Sequence, residues 1–150
     1  MDIKDAALKY LGPRARTCRE VSDHLRAKGF DGPEIEEIIE ELKELHYLDD
    51  QDYCAQYFEY AFGKGKGSYR AKRELEEKGV DRETIEIAFE EYESEETELA
   101  RAKKQAAKIA DGRQIDEKLL ARMGRRLTSL GYRSDIVYQV LGTYMRQQDE

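Results

Sequence analysis

Apolar residues return every three or four positions along nearly the whole chain: Val21 and Leu25; Ile35, Ile38, Ile39 and Leu42; Ile85, Ala88, Phe89 and Tyr92; Leu120, Met123, Leu127 and Leu130; Ile136, Val140, Leu141 and Tyr144. That spacing puts each group on one face of a helix. No stretch alternates with the period of two that a half-buried strand requires. The interruptions are short and carry turn chemistry: Gly12-Pro13, Gly29 to Pro33, Asp49-Asp50, Gly63/Gly65/Gly67, Gly79-Val80-Asp81, Asp111-Gly112 and Gly131-Tyr132. Those stop and start signals predict about nine helices.

The pattern repeats. Leu25-x-x-Lys28-Gly29-Phe30-Asp31, Leu75-x-x-Lys78-Gly79-Val80-Asp81 and Leu127-x-x-Leu130-Gly131-Tyr132 each precede a second apolar helical stripe, and the leading leucines are 50 and 52 residues apart. One physical account covers all three: a helix ends on a glycine at positive φ, an apolar residue plugs the corner, and a side chain caps the next helix. Asp31, Asp81 and Ser134 are the expected caps. With one further helix before each pair, residues 1–48, 49–93 and 94–150 are expected to form three tandem three-helix repeats, all-α, stacked as an elongated, curved rod.

Composition narrows the function classes. The 150 residues are 39% apolar and 39% charged, enough for a thin core, and ten tyrosines with four phenylalanines supply buryable area that disordered chains lack. No apolar run is long enough to cross a bilayer and Met1 to Tyr10 has no signal-peptide core, so a cytoplasmic protein without membrane contact is expected. Cys18 and Cys54 lack metal-ligand or disulfide spacing and read as small buried hydrophobes. His24 and His46, expected in different helices, have no nucleophile or ligand partner in sequence. Asp49-Asp50 reads as a helix cap, and the glycine triplet lacks the preceding strand and Gly-Lys-Ser/Thr ending of a nucleotide loop. No enzyme, metal or cofactor is expected.

Charge adds the functional surface. The net charge is −7, which disfavours a simple nucleic-acid coat. Its distribution alternates: residues 1–62 hold 8 bases and 15 acids, 63–82 hold 7 and 4, 83–100 hold none and 8, and 101–150 hold 11 and 6. The segment Gly63 to Arg73 carries Lys64, Lys66, Arg70, Lys72 and Arg73 with Tyr69 among them and no acid. Ala71 and Leu75 should face the core there and Tyr69, Lys72 and Arg73 the solvent, while the glycines let the backbone approach a partner. Two further stripes, Arg101/Lys104/Lys108 and Lys118/Arg122/Arg125/Arg126, follow helical spacing beside apolar faces. Glu83 to Glu98 forms an acidic run, suited to solvation or to a basic partner surface.

These motifs together resemble the RecX regulatory proteins, bacterial modulators of the RecA recombinase. The resemblance lies in Tyr10-Leu11 followed by Arg14-x-Arg16-Thr17-x-x-Glu20-Val21, in Leu25-x-x-Lys28-Gly29-Phe30, and in Leu45-x-Tyr47-Leu48-Asp49-Asp50. It continues through Gly65-Lys66-Gly67, Arg70 and Arg73 to Glu74-Leu75-x-x-Lys78-Gly79-Val80, and ends with Leu127-x-x-x-Gly131-Tyr132-x-x-Asp135-Ile136. It implies a cofactor-free monomer that lies in the groove of RecA nucleoprotein filaments, meets single-stranded DNA within them, and mainly inhibits filament assembly, ATPase and strand exchange in DNA repair and recombination. The basic residues above would be its contacts. A competing reading, a direct nucleic-acid-binding regulator of tandem helix-turn-helix-like modules, would use Tyr69 to Arg73 or the 118–126 helix as its reader.

Overall fold

A computed structural model describes residues 1–92 and 96–149. Among these residues the chain is helical, with no strand: α1 (Ile3–Leu11), α2 (Cys18–Ala27), α3 (Gly32–Glu44), α4 (Asp50–Gly63), α5 (Ser68–Glu77), α6 (Arg82–Glu91), α7 (Glu98–Ala110), α8 (Glu117–Ser129) and α9 (Ser134–Asp149). Packing groups the chain into two compact units. Unit 1 comprises Met1–Tyr57 and Glu74–Tyr92, and unit 2 comprises Phe58–Arg73 and Glu93–Glu150. The chain therefore passes from one unit to the other within α4 and again within α5.

The glycine turns close as the repeat predicts. Gly29, Gly79 and Gly131 sit at φ +97°, +92° and +96°. After each, the next residue's N–H donates to the leucine carbonyl five positions back: Phe30 to Leu25, Val80 to Leu75, Tyr132 to Leu127, all within 3.1–3.2 Å. The paired shorter bond, from the glycine N–H to the carbonyl three positions back, is present in all three. This double closure satisfies carbonyls that a helix end would leave bare. Val80 and Tyr132 then plug their corners as buried residues, while Phe30 is half-buried.

The following helices start on side-chain caps. Asp31 accepts from the Glu34 N–H and Asp81 from the Thr84 N–H, and Asp49 caps α4 by accepting from the Asp52 N–H. Ser134 differs from expectation. In the third copy, one residue shorter, the Val137 N–H bonds to the Arg133 carbonyl, so Arg133 holds the cap position and Ser134 is the first helical residue. His46 also departs from its expected helix. It lies exposed beyond the end of α3 at φ +65°.

Unit 1 contains a core of Ala6, Ala7, Val21, Leu25, Ile35, Ile38, Leu42 and Leu48, the inward stripes of α1 to α3 and the residue that follows them. Burial of each such leucine or isoleucine contributes about 1.5–3 kcal/mol. Thr17, fully buried, ties α2 to a more distant segment of the same unit. Its Oγ accepts from the Glu20 N–H while Glu20 accepts from the Thr17 N–H, and its hydroxyl donates to the Lys78 carbonyl at 2.8 Å. Cys54 is fully buried, whereas Cys18 is half-buried at the start of α2, its N–H donating to Asp50. Burial pushes both thiols up to about 12. Unit 2 contains a core of Ala102, Ala106, Met123, Leu127, Leu130, Tyr132, Ile136, Val137 and Val140 from α7 to α9 and the α8–α9 turn. No described helix is long and apolar enough to cross a membrane.

Candidate functional site

The glycine-lysine segment is a packing joint inside unit 2. Gly65 ends α4 at φ +87°, with the Gly65 and Lys66 N–H groups donating to the Phe62 and Ala61 carbonyls. The chain then runs against the Leu130–Tyr132 turn: Gly67 N–H donates to the Leu130 carbonyl at 2.7 Å, Tyr69 N–H to the Gly131 carbonyl at 3.1 Å, and the buried Tyr132 hydroxyl to the Gly65 carbonyl at 2.7 Å. A Cβ on Gly67 would stand 2.4 Å from the Gly131 oxygen, and one on Gly131 would stand 2.2 Å from the Arg70 Cβ. The expectation that these glycines admit a partner's approach is thereby corrected. At Gly65 and Gly67 they admit the chain's own atoms. Ser68 completes the joint, its N–H and hydroxyl both donating to Glu98 at 2.8 and 2.9 Å, so a carboxylate faces the positive start of α5.

This joint fixes where the basic side chains point. Ala71 and Leu75 are fully buried as expected, with Tyr69 60% exposed and Arg73 exposed. Lys72, expected in solvent, is half-buried. Arg70 is half-buried too and reaches the Ser129 carbonyl at the end of α8, at 3.4 Å. Lys64 is exposed and Lys66 half-buried, each ammonium 5.9 Å from the ring of Tyr60. Tyr60 is 55% exposed, and sequence reasoning missed it because Phe58, Ala61 and Phe62 around it are core residues.

The α7 stripe needs one correction. Lys104 and Lys108 are exposed, but Arg101 is buried, with its guanidinium 3.9 Å from the Phe62 ring centroid and donating to the Glu96 carbonyl at 3.0 Å. Lys104 pairs with Glu96. On α8, Lys118, Arg122, Arg125 and Arg126 are all exposed and, among the described residues, make no ion pair. Arg133, also missed, is exposed beside them in chain order, donating to Asp135 at 2.7 Å.

The acidic run divides. Glu83, Glu86, Glu90 and Glu91 are exposed on α6 in unit 1, Glu96 and Glu98 bind groups of unit 2, and Glu93 and Glu95 lie outside the described residues. Summed over sequence, unit 1 holds 10 Lys and Arg against 22 Asp and Glu, a net −12. Unit 2 holds 16 against 11, a net +5. The predicted basic residues therefore all fall in the one unit with a positive balance. No group of three His, Cys, Asp or Glu among the described residues could hold a metal ion.

Helices capped mostly by Asp or Thr, with a positive-φ glycine closing the middle helix of each group of three, define a tandem three-helix-repeat protein. The family model for the first three-helix domain of RecX matches residues 4–42, and that for the second matches residues 49–88. The regulatory protein RecX of Bacillus subtilis (strain 168) is 32% identical over 147 residues, covering 96% of this chain and 55% of that protein. The regulatory protein RecX of Clostridium botulinum (strain Eklund 17B / Type B) is 30% identical over 141 residues, covering 92% and 66%. Among solved structures, RecX from Lactobacillus salivarius superposes with a TM-score of 0.85 at 27% identity, over 95% of this chain and 94% of that one. The chain belongs to the RecX family. It spans about half to two thirds of the length of the curated relatives it matches.

Proposed function

We propose that this chain is a regulator of a RecA-type recombinase, docking on the nucleoprotein filament through unit 2 and limiting filament assembly, ATPase and strand exchange. It acts as a monomer in the cytoplasm, where its partners are the recombinase filament and the single-stranded DNA within it. The observation that carries the reading is the concentration, in the net-positive unit, of α8 cations that make no ion pair among the described residues and of three exposed tyrosines, Tyr60, Tyr69 and Tyr138. Lys64, Lys66, Tyr69, Arg70, Lys72, Arg73, Lys104, Lys108, Lys118, Arg122, Arg125 and Arg126 are the contacts, with Tyr60 and Arg133 added. Arg101 acts from inside, holding Phe62 and the start of α7. Inhibition follows when such a surface binds one state of the filament better than another.

The second reading, direct recognition of nucleic acid, draws on Tyr60 and Tyr69. An exposed ring bordered by cations is a stacking platform for an unpaired base. Titrating recombinase ATPase and strand exchange with the chain, and separately measuring its affinity for bare single-stranded DNA against salt, separates the two. Inhibition with weak bare-DNA binding supports the filament reading. Tight bare-DNA binding that falls steeply with salt, without a recombinase requirement, supports direct recognition. No inhibition in either assay rejects the proposal.

A further inference from the structure

Unit 1 carries a cationic cavity that the filament reading does not use. It lies between α1, the α1–α2 loop and α2, encloses about 480 Å³, and is lined by Lys9, Tyr10, Arg16, His24, Lys28 and Phe30 among its residues, with no Asp or Glu. That volume falls in the range of pockets that accept side-chain-sized ligands. The absence of acid is unusual in a unit of net −12. Lys9, Arg16 and Lys28 have no hydrogen-bonded or ion-paired carboxylate among the described residues, and Arg16 Nε is buried without an acceptor. Elsewhere in the same unit, Lys4, Arg14, Arg19, Arg26, Lys43 and Arg82 all have acidic partners.

The cavity is also pre-organised. The Tyr10 ring is sandwiched, with the Arg16 guanidinium 4.1 Å from its centroid and the His24 imidazole stacked at 3.9 Å. Two groups that close cannot share one face, so they cover both. A guanidinium placed over an aromatic ring still has its terminal N–H groups to offer a two-oxygen acceptor. His24 registers the same field: burial first, then Lys28 and Arg16, disfavour its protonated form.

We propose that this cavity binds the carboxylate of an Asp or Glu carried on an acidic, aromatic-containing segment of a partner protein. Arg16 and Lys28 engage the carboxylate, Lys9 neutralises a neighbouring acid, and Phe30 supplies apolar wall for the aromatic residue. A nucleic-acid strand fits less well, because both faces of Tyr10 are occupied, which removes it as a base-stacking surface. The proposal stands apart from the recombinase reading, because it concerns different residues and a different ligand.

The test uses the full chain, labelled for NMR, with acetyl-Leu-Asp-Phe-Glu-Leu-amide, the same peptide with Asn and Gln in place of Asp and Glu, and an eight-residue oligothymidylate. The acidic peptide should shift the Tyr10, His24 and Lys28 signals saturably, and its neutral form should not. Lys9→Gln/Lys28→Gln, which changes two exposed side chains, should weaken binding by about tenfold or more while leaving the spectrum folded. Arg16→Lys, keeping the charge but losing the fork, should weaken it as well. Equal binding of the neutral peptide, no shift at these residues, or tighter binding of the oligothymidylate there would each overturn the proposal.

Discussion

The two units solve the same folding problem with opposite surfaces. Each contains a thin core of helical stripes and turns closed on a positive-φ glycine, yet unit 1 is strongly acidic and pairs most of its cations, while unit 2 is net basic and leaves those of α8 exposed. Surface ion pairs are worth little, about 0–1 kcal/mol each, so leaving a cation without a partner costs the fold almost nothing. The difference therefore reports on what each surface meets. The turn glycines differ in what they face: at nearly the same φ, Gly29 of unit 1 has nothing within 4 Å of an added Cβ and Gly79 of unit 1 meets the Arg19 side chain, whereas Gly131 of unit 2 has the Arg70 backbone there.

That contrast can be broken by substitution. Gly131→Ala combines left-handed strain with collision against Arg70, and should destabilise unit 2 by about 2–4 kcal/mol in chemical denaturation. Hydrogen exchange should accelerate in α7 to α9 first. Thr17→Ala removes a cap and a buried hydroxyl bond in unit 1, for an expected loss of about 1–3 kcal/mol. Gly29→Ala, with strain but no collision, should cost about 1–2 kcal/mol. A loss equal to that of Gly131→Ala would contradict the packing joint.

A smaller effect comes from pH. Burial, with Lys28 and Arg16, lowers the His24 pKa below its ordinary value near 6.5. The unfolded chain then binds the proton more readily, so this contribution to stability is fully present above about pH 6.5 and declines as pH falls from there through the folded pKa. His24→Gln should flatten that part of the pH–stability curve, and NMR titration should give His24 a lower pKa than a histidine in a short peptide.

Much of this was legible in sequence, for local reasons. The Leu-x-x-x-Gly-apolar closures depend on contacts within six residues, so three copies could be read directly, as could Asp31, Asp49 and Asp81 as caps. Arg101 was misjudged because its spacing matches that of Lys104 and Lys108, and only Phe62, 39 positions earlier in the chain, shows why it is buried. The glycine triplet reads as open to a partner's approach for the same reason. Nothing near Gly67 in sequence reveals that its neighbour is Gly131. Tyr60 was hidden by its apolar surroundings, and the Arg16–Tyr10–His24 stack joins α1, a loop and α2 without a periodic signature.

The central claim, that the basic unit is the docking surface, is tested most directly by paired charge reversal in the recombinase ATPase assay. Arg122→Glu/Arg126→Glu in unit 2 should raise the concentration needed for half-inhibition about tenfold or more, while Arg26→Glu/Lys43→Glu in unit 1 leaves it within about twofold. Equal losses from both folded variants, or a loss confined to the unit 1 variant, would contradict the account.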